Sequence, residues 1–123
     1  KIFKINGSNL VDLVESGKFF NKKSYCKKII KESLEDIIIS EKIDVITLSS
    51  THLLFLKKLL KKEFPKIQFI DPGNIVATKV FSKIKNKQSK KNSLKIFTSS
   101  DVINFKNKLN KIGIKNKVNF LST

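Results

Sequence analysis

Three hydroxyls and the only imidazole of the chain fall side by side in Ser49-Ser50-Thr51-His52. Hydroxyls and an imidazole gathered in one tetrad mark the expected active site. The tetrad directly follows Ile43-Asp44-Val45-Ile46-Thr47-Leu48, whose β-branched apolar run reads as a short strand of a parallel sheet, covered on both faces. Leu53, Leu54, Leu56, Leu59, Leu60 and Phe64 then give a helix that Pro65 stops. A polar elbow at the carboxyl end of a strand is where open α/β sheets bind ligands. The helix start adds free N–H groups and the positive end of a dipole, which favour an anion such as a carboxylate. The competing reading is structural, because Ser50 and Thr51 could simply cap the helix that begins at His52.

The elements that would hold this elbow follow in near-strict alternation. Lys1 to Ile5 alternates at period two and predicts a first strand, ended by the turn Asn6-Gly7-Ser8, a further place for ligand contacts. Leu10, Val11, Leu13 and Val14 give a two-turn helical face closed by Gly17. From Ser24 to Ile39 the residues Tyr25, Cys26, Ile29, Ile30, Leu34, Ile37 and Ile38 recur at helical spacing. Cys26 lies on that stripe and reads as a small buried apolar residue. Lys66 to Ile70 is a strand, after which Asp71-Pro72-Gly73 turns into a helix from Asn74 to about Ile84, with Asp71 as its cap. Residues 83–93 are a polar, lysine-rich loop or linker. Leu94 to Phe97, Val102 to Ile112 and Val118 to Leu121 complete the order as strand, helix and strand. The expectation is one α/β domain over residues 1–123, three layers α/β/α around a mainly parallel sheet of about four to five strands.

The chain has 123 residues, 26 Lys+Arg against 10 Asp+Glu and a formal charge of +16. Every cation is lysine, a diffuse point charge rather than the planar fork that reads bases and grips phosphates. The 10 phenylalanines sit mostly at core spacing and form no stacking platform, so a nucleic-acid partner is ranked last. One cysteine allows no internal disulfide and points to a reducing, cytoplasmic setting. No apolar run approaches a membrane span, so no membrane partner is expected. No metal site is expected either. The chain opens on Lys1 and contains no methionine, which suggests a fragment or a processed product.

Four pieces together carry a family resemblance. Leu48-Ser49-Ser50-Thr51-His52-Leu53-Leu54 is similar to a Leu-Gly-Cys-Thr-His motif with its following Tyr-Pro-Leu-Leu run. Ile70-Asp71-Pro72-Gly73 with Ile75-Val76-Ala77 is similar to Ile-Asp-Pro-Gly followed by Ala-Val-Ala. Phe97-Thr98-Ser99-Ser100-Asp101 is similar to Tyr-Thr-Thr-Gly-Asp, and Leu10 to Gly17 to Phe-Val-Pro-Leu-Val-Glu-Glu-Gly. In that order they resemble the C-terminal part of glutamate racemase, in the aspartate/glutamate racemase superfamily.

The resemblance implies an isomerase that needs no cofactor and exchanges the α-proton of an amino acid, glutamate or aspartate, between two bases. Such an enzyme makes D-glutamate for cell wall biogenesis. It implies that Ser50 stands in the place of the second catalytic cysteine, that His52 assists it and that Thr51 contacts the amino acid. Ser49 stands for a glycine and Asn6-Gly7-Ser8 for an Ala-Cys-Pro, and these are expected at the substrate as well. Asp71 and Gly73 are a structural turn or a further part of the site. The partner implied is an N-terminal half carrying the first cysteine, with homodimerisation also open. The alternative is a racemase-like module that has lost its chemistry and serves binding or structure, which the Ser49-Ser50 pair favours.

Overall fold

In a computed structural model of the chain, residues 1–84 and 93–122 are described. The chain divides into two compact units, Lys1–Lys83 and Ile84–Thr123. The first unit contains helices α1 (Ser8–Glu15), α2 (Lys18–Asn21) and α3 (Lys23–Ser40), strand β1 (Val45–Thr47), helix α4 (Leu53–Glu63) and strand β2 (Gln68–Ile70). Helix α5 (Pro72–Ile84) follows, and the second unit is strand β3 (Ile96–Thr98), helix α6 (Val102–Lys111) and strand β4 (Val118–Phe120). β1 pairs with β2 and β3 with β4, both parallel, so each unit is built on a strand-helix-strand crossover. The fold is α/β, with the observed ladders in two short pairs.

Helical periodicity set the core of the first unit. Cys26, Ile30 and Leu34 lie four residues apart on α3, and Leu56 and Leu60 four apart on α4; all five are buried. With Leu10 and Leu13 of α1, Leu48, Ile67 and Phe69 they form one cluster. Burying each leucine or isoleucine contributes about 1.5–3 kcal/mol. The cluster fixes α1, α3 and α4 against one another, which matters because α1 and α4 both carry groups of the candidate site. Phe19 of α2 lies 5.7 Å from Phe55 of α4, ring centroid to ring centroid. Cys26 is fully buried and desolvation raises its thiol pKa, as suits a packing residue.

Two expectations differ from the structure. Lys1 to Ile5 forms no strand; Ile2 is 94% exposed, and alternation alone does not make a strand when no neighbour closes a ladder on it. β1 is not covered on both faces: Val45 and Thr47 are exposed. Among the described residues it pairs with β2 alone, and a groove bordered by Lys1 to Ile5 lies along the strand. Of the loop expected at 83–93, Lys83 and Ile84 end α5, and residues 85–92 lie outside the described residues.

Helices α3 and α6 end in the same way, with one telling difference. Beyond α6, Ile114 N donates to Leu109 O and Gly113 N to Asn110 O, with Gly113 at φ 86°. Beyond α3, Ile43 N donates to Ile38 O and Lys42 N to Ile39 O, but the left-handed position is Lys42, at φ 51°. A non-glycine residue there costs about 1–2 kcal/mol, partly offset by the chain entropy that glycine loses on folding. Lys42→Gly is therefore expected to stabilise the first unit by about 0.5–1 kcal/mol in urea denaturation. An unchanged or lower midpoint would contradict this.

Candidate functional site

The elbow begins where the β1 ladder ends. Leu48 N donates to Ile70 O at 2.9 Å, the last bond to β2, and Leu48 is buried. The chain then leaves the sheet. Leu53 N donates to Ser50 O at 3.1 Å and Phe55 N to His52 O at 3.1 Å, which starts α4. The Ser50 hydroxyl oxygen accepts from His52 N at 3.3 Å and lies 3.2 Å from His52 Nδ1. Ser50 thus touches both the backbone and the ring of His52. Half-buried, the two side chains remain reachable from solvent.

The far side of the imidazole is engaged as well. His52 Nε2 lies 2.6 Å from Glu15 Oε1, at the last residue of α1. A carboxylate accepts only, so in the neutral ring the proton sits on Nε2 and Nδ1 keeps its lone pair for the Ser50 O–H. The result is a chain of acid, imidazole and hydroxyl. Ser50 can pass its proton to His52, and Glu15 orients the ring and stabilises the imidazolium that forms. Sequence reading did not single out Glu15. Its only signal was its place in the stretch Leu10 to Gly17, far from His52 along the chain.

The other expected site residues fall into separate groups. Ser49 and Gly7 line the groove along β1, together with Thr47 and Leu48. Asn6 Oδ1 accepts from Ser8 N at 3.0 Å and Ser8 Oγ at 2.6 Å, a local turn that starts α1. Thr51 is exposed at the elbow. Asp71 Oδ1 accepts from Gly73 N at 2.9 Å and Asp71 Oδ2 from Lys57 Nζ at 3.1 Å, so Asp71 caps α5 and ties it to α4. Asp71 and Gly73 therefore engage each other and Lys57 rather than the Ser50–His52 pair. Among the described residues, no three His, Cys, Asp or Glu side chains gather to hold a metal ion, and no helix is long and apolar enough to cross a membrane.

The Lys57 hydrogen bond, and then that from Gly73, lower the Asp71 pKa below its ordinary value. A carboxyl depressed in the folded state stabilises that state above the unfolded pKa of about 3.9, and the contribution is lost as pH falls through the lower folded value. The thermal midpoint of the first unit should therefore fall more steeply on acidification below about pH 4 than that of Asp71→Asn. Parallel curves for the two proteins would contradict the assignment.

Known proteins resemble this chain in sequence and in fold. A glutamate racemase of Carboxydothermus hydrogenoformans is 33% identical over 91 residues, 69% of this chain and 31% of that protein. A glutamate racemase of Buchnera aphidicola is 46% identical over 59 residues, 47% of this chain and 23% of that protein. The crystal structure of glutamate racemase from Thermus thermophilus in complex with β-chloro-D-alanine superposes with a TM-score of 0.75 at 19% identity, over 92% of this chain and 44% of that one. No family model matches the chain. The chain thus spans less than a third of the length of these two curated relatives. It is glutamate-racemase-like in sequence, and the structural likeness shows a shared α/β fold.

Proposed function

We propose that this racemase-like chain supplies one base of a cofactor-independent α-proton exchange on an amino acid, glutamate or aspartate, with Ser50 in the place of the second catalytic cysteine. The observation that carries it is the unbroken contact from Glu15 through His52 to Ser50 at the strand-to-helix elbow. In one direction the substrate Cα–H bond breaks and the proton passes to Ser50 Oγ. The Ser50 hydroxyl proton moves at the same time to His52 Nδ1, and the electron pair left on carbon spreads into the substrate carboxylate. His52 becomes an imidazolium held by Glu15. The reverse sequence returns a proton to the α-carbon. Racemisation needs a second base on the opposite face; in this reading an N-terminal half supplies it, in keeping with a chain that spans less than a third of the two curated relatives. The positive end of the α4 dipole, beside Ser50, suits the substrate carboxylate, and Thr51, exposed at the elbow, offers it a hydroxyl donor.

The relatives named glutamate racemase support the amino-acid substrate. The test is deuterium wash-in at the α-carbon of D- and L-glutamate in D₂O, read by proton NMR, on the full-length gene product that contains this chain. Exchange of both enantiomers, lost in His52→Gln, is the expected result. Exchange unaffected by His52→Gln would remove His52 from the reaction, and silence towards both glutamate and aspartate would leave the chain as a binding or structural module.

A further inference from the structure

The contact from Glu15 to His52 to Ser50 has the composition of a hydrolase triad, and that suggests an activity besides proton exchange. We infer that Ser50 is an activated nucleophile that accepts acyl groups from small carboxylic esters, so that this site carries an esterase-like activity beside any proton exchange.

Four features of the site support this. The hydroxyl lies 3.2 Å from a ring nitrogen, and the opposite ring nitrogen lies 2.6 Å from a carboxylate. Ser50 sits on the turn between a parallel strand and a helix, the placement that exposes a nucleophile above an α/β sheet. Helix α4 starts three residues later and directs the positive end of its dipole to where an oxyanion would form. Ser50 and His52 are each partly exposed, so a small ester can reach them.

The step balances without any further reactant. Ser50 Oγ attacks the ester carbonyl as its proton moves to His52 Nδ1; the tetrahedral oxyanion collapses, the C–O bond to the alcohol breaks, and the alcohol leaves with the proton from His52. Water then attacks the acyl-serine, His52 takes the water proton and returns it to Ser50 Oγ, and the carboxylic acid leaves. Glu15 acts through His52 as a positioning residue.

Active esters also acylate surface lysines, of which this chain has many, so the decisive probe is a fluorophosphonate, which selects activated serines. In its reaction a bond forms between Ser50 Oγ and phosphorus, the P–F bond breaks, and the serine proton leaves through His52. The full-length gene product should be labelled once per chain, at Ser50 by peptide mass spectrometry, and urea-denatured protein should not react. His52→Gln, with folding checked by circular dichroism, should slow labelling by about 10²–10⁴-fold. Glu15→Ala should slow it less, with partial recovery in added acetate, which a purely structural role for Glu15 would not give. Hydrolysis of p-nitrophenyl acetate should fall in Ser50→Ala. Absence of label at Ser50 in the folded protein, or a labelling rate indifferent to His52→Gln, overturns the inference. Wash-in of deuterium is a separate readout, so either activity can fail without the other.

Discussion

Replacing Ser50 by cysteine is expected to raise the rate of α-deuterium wash-in into glutamate by about 10²–10⁴-fold. A thiol ionises near pKa 8.5, whereas a hydroxyl holds its proton far more tightly, nearer to bulk water, a gap of about 10 kcal/mol between the free bases. The whole gap is not expected in the rate. His52 Nδ1, 3.2 Å from the Ser50 oxygen, lets the serine lose its proton as it gains one, so the free alkoxide never forms. What remains is the poorer basicity of a neutral hydroxyl, and a thiolate held beside the same imidazole removes it. The substitution adds little volume at a half-buried position and should leave the melting temperature nearly unchanged. Equal wash-in rates for the two proteins would mean that the side chain at position 50 does not handle the α-proton. The fluorophosphonate reaction of Ser50 should change in the opposite sense, because the probe that selects a triad serine finds none in Ser50→Cys.

Leu56→Ala is expected to cost about 2–5 kcal/mol of stability, read as a shift of the urea midpoint with little change in slope. Leu56 is 0% exposed, lies one turn beyond His52 on α4 and belongs to the cluster that joins α1, α3 and α4. Against a total of about 5–15 kcal/mol for a domain, this is a large fraction. Because the same packing brings Glu15 of α1 to His52 at the start of α4, the activity should fall before the unit unfolds, as the Glu15–His52 contact loosens. Phe55→Leu gives the contrast. Phe55 is 45% exposed on the preceding position of the same helix, so its loss should cost far less. Comparable losses from the two substitutions would show that the cluster does not hold α4 in place.

The sequence by itself determined the parts of this protein that depend on neighbours along the chain. The stripes Cys26, Ile30, Leu34 and Leu56, Leu60 announced α3 and α4 and their buried faces, because a helix places residues four apart on one side. Ser50 and His52 were legible as a pair because two residues and a turn bring them together, and Asp71 was legible as a cap because its acceptor reaches only the first turn of α5. Only the tertiary structure decided the rest. Periodicity says which face of an element is apolar but not which element will cover it, so the one-sided pairing of β1 and the missing ladder on Lys1 to Ile5 could not be read in advance. The third member of the site was hidden for the same reason: Glu15 and His52 meet because α1 and α4 pack on one core, and nothing in the spacing of two distant residues encodes that contact.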